Sequence, residues 1–177
     1  IRAAGFDCPG ISIGSTPTAL SAQNLEGVTE VRAGVYVFFD LVMHNVGVCR
    51  MDDIALTVLT TVIGHQPEKG WAITDAGWMA MSRDRGTQKQ KHDYGFGQVC
   101  NVDGVVLADY VMSGANQEHG IISRVGNIDH DIATRFPVGT QLRILPNHAC
   151  ATGAQFPEYH ALSQKGEITT WKRFYGW

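Results

Sequence analysis

The 177-residue sequence has no uninterrupted apolar run approaching the roughly 18 residues that a transmembrane helix requires. Charge is scarce too: Asp, Glu, Lys and Arg make up 18% of residues, and 14 basic against 17 acidic side chains leave a net charge of −3. No basic stripe is present, which excludes a nucleic-acid binder working by bulk charge. Cysteine is sparse, with Cys8, Cys49, Cys100 and Cys150 spread along the chain and no Cys-x-x-Cys pair. That spacing is not a disulfide framework. A reducing cytoplasm is the expected compartment, although pairing into two disulfides stays open. The 44% hydrophobic content excludes a disordered tail, and the length suits one domain with its own core. The chain opens on Ile1, without the apolar run or cleavage pattern of a signal peptide. A processed product or a fragment of something longer is therefore expected.

Helical periodicity is also scarce. From about Val28 onward the sequence reads as short β-segments punctuated by Gly, Asn and Asp, at 28–31, 35–41, 55–63, 71–74, 97–100, 105–112, 121–123, 141–145, 159–162 and 168–174. Runs such as Val35-Tyr36-Val37-Phe38-Phe39 are β-branched and aromatic, which suits a pleated, half-buried surface. Many short strands with turn signals between them predict a mainly β domain, a barrel or a sandwich. The first 25 residues differ. Gly10–Ile13 reads as a strand, followed by a Gly/Ser/Thr turn and a short helix over about Pro17–Ala22. A lone strand–helix unit ahead of an all-β region looks like the end of a larger α/β domain.

Two strings carry the sharpest chemistry. Gly14-Ser15-Thr16-Pro17-Thr18 combines small residues, hydroxyls and a helix start, which either hold an anion or simply cap the helix. His148 and Cys150 lie two apart, so on an extended segment both would face the same way. Imidazole plus thiolate is half of a zinc site, and the alternative is a buried cysteine beside a satisfied histidine. Asp75-Ala76-Gly77-Trp78 with Ser82-Arg83-Asp84-Arg85 reads as a polar cluster or as a turn with a surface ion pair. Glu118-His119 before a strand is either a site or a loop. His44, His65, His92, His130 and His160 lack partners at ligand spacing, and Asp129-His130-Asp131 reads as a turn.

Taken together, these strings resemble the D-serine dehydratase and D-threonine aldolase family of alanine racemase-like, fold-type III pyridoxal-phosphate enzymes. The matching pieces are Gly14-Ser15-Thr16-Pro17-Thr18, Thr29-Glu30-Val31-Arg32-Ala33-Gly34-Val35-Tyr36 with Asp40, Asp75-Ala76-Gly77 with Ser82, Glu118-His119-Gly120, and Pro146-Asn147-His148-Ala149-Cys150. The resemblance implies a C-terminal β-barrel or sandwich-like domain over 26–177, preceded over 1–25 by the last strand–helix unit of a truncated, cofactor-binding (β/α)8 barrel. It implies that Gly14, Ser15 and Thr16 hold the phosphate of pyridoxal 5'-phosphate. His148 and Cys150 would bind a divalent metal, Zn2+ by preference for the thiolate, with Mn2+ or Mg2+ as alternatives. The family's Schiff-base lysine lies early in the barrel, and Lys69, Lys89, Lys91, Lys165 and Lys172 match no such position, so the catalytic lysine is not expected in this chain. A His-x-Cys pair leans towards a D-serine dehydratase, giving pyruvate and ammonia. A D-threonine aldolase giving glycine and an aldehyde, or a non-catalytic metal-binding or assembly domain, is the alternative. The resemblance further implies a small D-amino acid as substrate and a homodimer, with no nucleic-acid or membrane partner.

Overall fold

In a computed structural model, residues 1–32 and 34–174 are described; Ala33, within the Thr29–Tyr36 string, and residues 175–177 lie outside the described residues. The chain starts with β1 (Ser12–Ile13), α1 (Thr16–Ser21) and β2 (Glu30–Val31). β1 and β2 pair in parallel, Ser12 opposite Glu30 and Ile13 opposite Val31. Pro17 sits in the first turn of α1, where its missing N–H costs nothing.

The segment 35–41, expected to be a strand, is instead a 3-10 turn over Val35–Val37 followed by α2 (Leu41–Asn45). The physical reason is Asp40. Its buried carboxylate accepts the Met43 N–H at 3.0 Å as an N-cap, and Phe39 before it turns the chain through a left-handed φ of 54°. The apolar run packs against a neighbour without joining a ladder.

Alternation builds the centre. Along β3 (Val58–Gln66), Val58, Thr60 and Val62 are buried while Leu59 and Ile63 face out. With β4 (Trp71–Thr74), β5 (Gly97–Asn101), β6 (Val106–Ala115), β7 (Gly120–Arg124) and β8 (Gln141–Pro146) it forms a closed six-stranded barrel in the order β3-β4-β7-β6-β5-β8. Every pairing in it is antiparallel, and β8 closes the ring by pairing with both β3 and β5. The ladders shift register at Val62/Gly64, Gln98/Cys100 and Met112/Gly114, the kind of irregularity that lets strands bend towards closure. The buried Gln98 amide sits at one of these shifts, donating to the carbonyls of Leu107 and Tyr110 at 2.9 Å each. Inside, Val62, Ala72, Val99, Met112, Ile122, Leu142 and Ile144 share one core. Each fully buried aliphatic side chain of this kind contributes about 1.5–3 kcal/mol.

Short helices decorate the rims: α3 (Trp78–Met81), α4 (Ile132–Arg135) and α5 (Ala149–Gly153). Outside the barrel, Leu41 of α2 joins Ile54, Cys100 and Leu145 in a second apolar cluster. The chain continues in a separate antiparallel hairpin, β9 (Glu158–Leu162) with β10 (Ile168–Lys172). All four cysteines are free thiols. No described helix is long and apolar enough to cross a membrane.

Candidate metal centre

β8 stops at Pro146, the partner of Gly97 in β5. Proline offers no N–H to extend a ladder, so the chain turns off the barrel rim at that point. Asn147 follows and is almost completely buried. Its amide donates to the carbonyls of Asp84 at 3.0 Å and Gly95 at 2.7 Å, and its oxygen accepts from the Thr87 hydroxyl at 3.1 Å. Thr87, itself fully buried, also accepts the Tyr94 N–H at 3.2 Å. One side chain thus ties three segments to the end of β8.

The segment 148–150 is not the extended one expected. His148 has extended φ and ψ but is the N-cap residue of α5, and Cys150 lies in the helix. At helical spacing, residues two apart do not share a face. Here both are exposed while Ala149 between them is buried, because the Ala149 N–H is pulled inward to the Asp40 carboxylate at 3.0 Å. The tether preserves outward presentation of both candidate ligands. Deeper in α5, the buried Thr152 hydroxyl donates to the Met81 carbonyl at 2.6 Å and locks α5 onto α3.

The His148 ring meets a carboxylate. Nδ1 lies 2.5 Å from Asp84 Oδ2, and no hydrogen bond among the described residues engages Nε2. Asp84 stands on a turn whose geometry is unusual: Ser82 has φ 79° and ψ 168°, a region that side chains rarely occupy, and its hydroxyl accepts the Asp84 N–H at 3.2 Å. Asp40, Asp84, Asn147 and His148, with Val35, Val42 and Met43, line a pocket of about 250 Å³. Burial raises the Asp40 pKa above the usual carboxylate value, against the lowering effect of the Met43 and Ala149 N–H bonds. Burial, then the Asp40 charge, also raises the Cys150 thiol. An exposed imidazole and thiol two residues apart, the imidazole lining the pocket, are soft donors of the kind that suit a divalent metal with open coordination positions. No group of three or more His, Cys, Asp or Glu among the described residues is placed to hold a metal by itself.

The other candidate residues fall in several places. Ser15 is the N-cap of α1, yet its side chain makes no capping bond. Gly14 packs against Arg32, whose guanidinium would lie 2.7 Å from a Cβ added there. Arg32 also donates to the Ser12 hydroxyl at 2.7 Å. The Ser15 hydroxyl without a capping bond and the Arg32 guanidinium beside Gly14 make this corner chemically suited to a phosphate. Buried Thr16 abuts Gly34, and Val35 next to it lines the pocket. Asp75 is structural: its carboxylate accepts from the Thr60 hydroxyl and the Thr61 N–H. Glu118 and His119 are exposed on the turn joining β6 to β7. Among the remaining histidines, His44 and His65 contact the carbonyls of Cys49 and Phe136, and His130 that of Pro67. In the polar cluster around residues 82–85, Arg85 pairs with Asp93 outside the cluster at 2.9 Å, and Asp84 meets the His148 ring. Asp84, Asn147 and Thr87 had no local sequence signal as a set, since their contacts span 60 to 64 positions.

Comparison with known proteins gives a consistent picture. The domain family described as "Putative serine dehydratase domain" matches residues 55–162. D-threo-3-hydroxyaspartate dehydratase of Delftia sp. (strain HT23) is 68% identical over 100% of this chain and 47% of its own length. D-serine dehydratase of Dictyostelium discoideum is 31% identical over 95% of this chain and 43% of its own length. Solved structures of the Delftia enzyme include a histidine-to-alanine mutant, at TM-score 0.92 and covering 99% of this chain and 46% of that one. They also include a cysteine-to-alanine mutant "in the metal-free form", two positions further along, at TM-score 0.91. An alanine racemase-like protein from Idiomarina loihiensis superimposes at TM-score 0.89 with 52% identity, covering 99% of this chain and 46% of that one. The chain spans about half the length of the curated relatives it matches.

Proposed function

The chain belongs to the serine dehydratase domain family, and from that membership we propose that it is the C-terminal portion of a pyridoxal-phosphate- and divalent-metal-dependent dehydratase of D-3-hydroxy amino acids. The observation that carries the reading is the exposed pair His148 and Cys150: His148 lines a pocket and meets the Asp84 carboxylate, and Asp40 takes the N–H of Ala149 between the two. The two substituted positions in the Delftia enzyme have the same residue types and the same spacing of two. In this reading His148 Nε2 and Cys150 Sγ bind the metal, zinc by preference for the thiolate. Gly14, Ser15 and Thr16 hold the cofactor phosphate, with Arg32 supplying charge. When bound, the cofactor supplies an electron sink for the pair left at Cα, and the metal supplies Lewis acidity for the departing β-hydroxyl. Residues 1–25 then close the cofactor barrel together with β2 (Glu30–Val31), which pairs in parallel with β1, and the remainder of 26–177 forms the β-domain. Exposed Phe6, Ile11, Leu20, Val31 and Val37 in the first forty residues support a face covered by the rest of the protein or by a second copy in a homodimer.

The 68% identity to a D-threo-3-hydroxyaspartate dehydratase, against 31% to a D-serine dehydratase, favours the four-carbon acidic substrate over D-serine. Dehydration of that substrate yields oxaloacetate and ammonia. The test is product analysis on the protein as naturally expressed, supplied with zinc, manganese or magnesium. The expected result is a 2-oxo acid and ammonia in equal amounts, fastest from D-threo-3-hydroxyaspartate and abolished in His148→Ala and Cys150→Ala. Glycine with an aldehyde would establish the aldolase instead, and activity unaffected by either substitution would remove the metal from the reading.

A further inference from the structure

Two non-glycine residues among those described have positive φ, Phe39 and Ser82. Each stands one or two positions ahead of an aspartate, and both aspartates grip the same short segment. Asp40 takes the Ala149 N–H and Asp84 takes the His148 ring. Strained backbone of this kind is unfavourable by itself and persists where its surroundings over-determine it. Here both turns bring a carboxylate to the candidate ligand segment.

We propose that Asp84 is the positioning residue of the metal centre: its carboxylate accepts the Nδ1–H of His148 and so fixes the ring in the tautomer and orientation that leave Nε2 as the metal ligand. The inference rests on the metal reading of His148 and Cys150. An ionised carboxylate can only accept, so Nδ1 carries the proton, and in the neutral imidazole that a metal binds the lone pair is then on Nε2. The Asp84 backbone is itself held. Its N–H goes to Ser82 and its carbonyl to the buried Asn147 amide, so the carboxylate is presented from a fixed turn. Asp84 and His148 side chains are 48% and 46% exposed, so their pairing adds little to folding stability. A contact of small stability value on a strained, fully anchored turn makes physical sense as a device for orientation. Outer partners of this type are worth tenfold to hundredfold in metal affinity.

The test is zinc titration against a competing chelator, in the protein as naturally expressed. It is paired with 15N spectra of the imidazoles, assigned with His148→Ala. Asp84→Ala removes the acceptor but keeps the backbone bonds to Ser82 and Asn147, and its melting curve is expected to match the parent. Zinc affinity should fall tenfold to hundredfold, and His148 should lose its Nδ1–H tautomer in the metal-free protein. Asp84→Asn retains an acceptor oxygen and should recover most of the affinity. Zinc binding by Asp84→Ala equal to the parent would overturn the proposal and leave the metal site standing, as would an Nε2–H tautomer in the parent. A parent protein that binds no zinc would overturn the metal reading and this inference together.

Discussion

Asn147→Ala should be among the most damaging single changes available at the barrel rim that touch no candidate ligand. The asparagine amide uses both donor hydrogens, on the carbonyls of Asp84 and Gly95, and its oxygen takes the Thr87 hydroxyl. Truncation removes three hydrogen bonds, each worth about 0.5–1.5 kcal/mol net, and leaves two carbonyls facing a pocket from which the amide has been cut. The sum is about 3 kcal/mol, rising towards 5 if water does not enter the space. Thr87→Val is the partner perturbation. It keeps the shape but removes the hydroxyl that bridges the Tyr94 N–H and the Asn147 oxygen, at about 1–2 kcal/mol. The two residues share a bond, so the double variant should lose about 1 kcal/mol less than the two single losses added together. Urea unfolding with linear extrapolation measures all three. A loss under 1 kcal/mol for Asn147→Ala, or strict additivity with Thr87→Val, would refute the view that this amide anchors the turn carrying His148.

Other perturbations probe the surroundings. Asp40→Ala removes both the α2 N-cap and the acceptor for Ala149; it should cost at least the ~1 kcal/mol of a lost cap and loosen retained zinc, with Asp40→Asn recovering part of both in melting and metal-content assays. Gly77→Ala would place a Cβ 2.3 Å from the Asn116 carbonyl and 2.6 Å from the Gln117 carbonyl, so the β6–β7 turn must move, and the melting temperature should fall by an amount matching about 1–3 kcal/mol. The Tyr110 hydroxyl, 2.5 Å away, foremost holds the Asp129 carboxyl below the usual carboxylate range, with Arg135 adding to it. A depressed folded value means the stabilisation is present above the unfolded pKa near 3.9 and is lost as pH falls through the lower folded value. Asp129→Asn should therefore flatten the acid limb of a stability–pH curve. Burial, then the Asp129 hydrogen bond, pushes Tyr110 up to about 12. That contribution is full below the unfolded phenol value near 10 and is lost as pH rises through 12, so Tyr110→Phe should flatten the alkaline limb.

Much of the barrel was legible because its strands obey a local rule. Trp71–Thr74 falls where β-branched and aromatic alternation puts it, and 97–100 and 141–145 are each one residue short of the observed strand. The segment 35–41 misled for a physical reason. Val-Tyr-Val-Phe-Phe has strand composition, but Asp40 three residues before Met43 is a helix cap, and the cap prevailed. His148 and Cys150 were found by residue type and spacing. Their common outward presentation was expected from a strand and arises instead from an Ala149 tether at a helix start.

The sequence by itself determined a mainly β domain behind a strand–helix unit and the residues that define the family, because each rests on composition, short-range periodicity or a string of neighbours. Only the tertiary structure decided that six strands close into a ring, which depends on β8 finding β3 across 80-odd residues of chain. It also decided that Asp40 and Asp84, 109 and 64 positions away from their partners, converge on the 148–149 segment. Such contacts have no local signature: the entropy of closing long loops is met only by the whole barrel's burial, so a carboxylate's partner is known only once the barrel has formed.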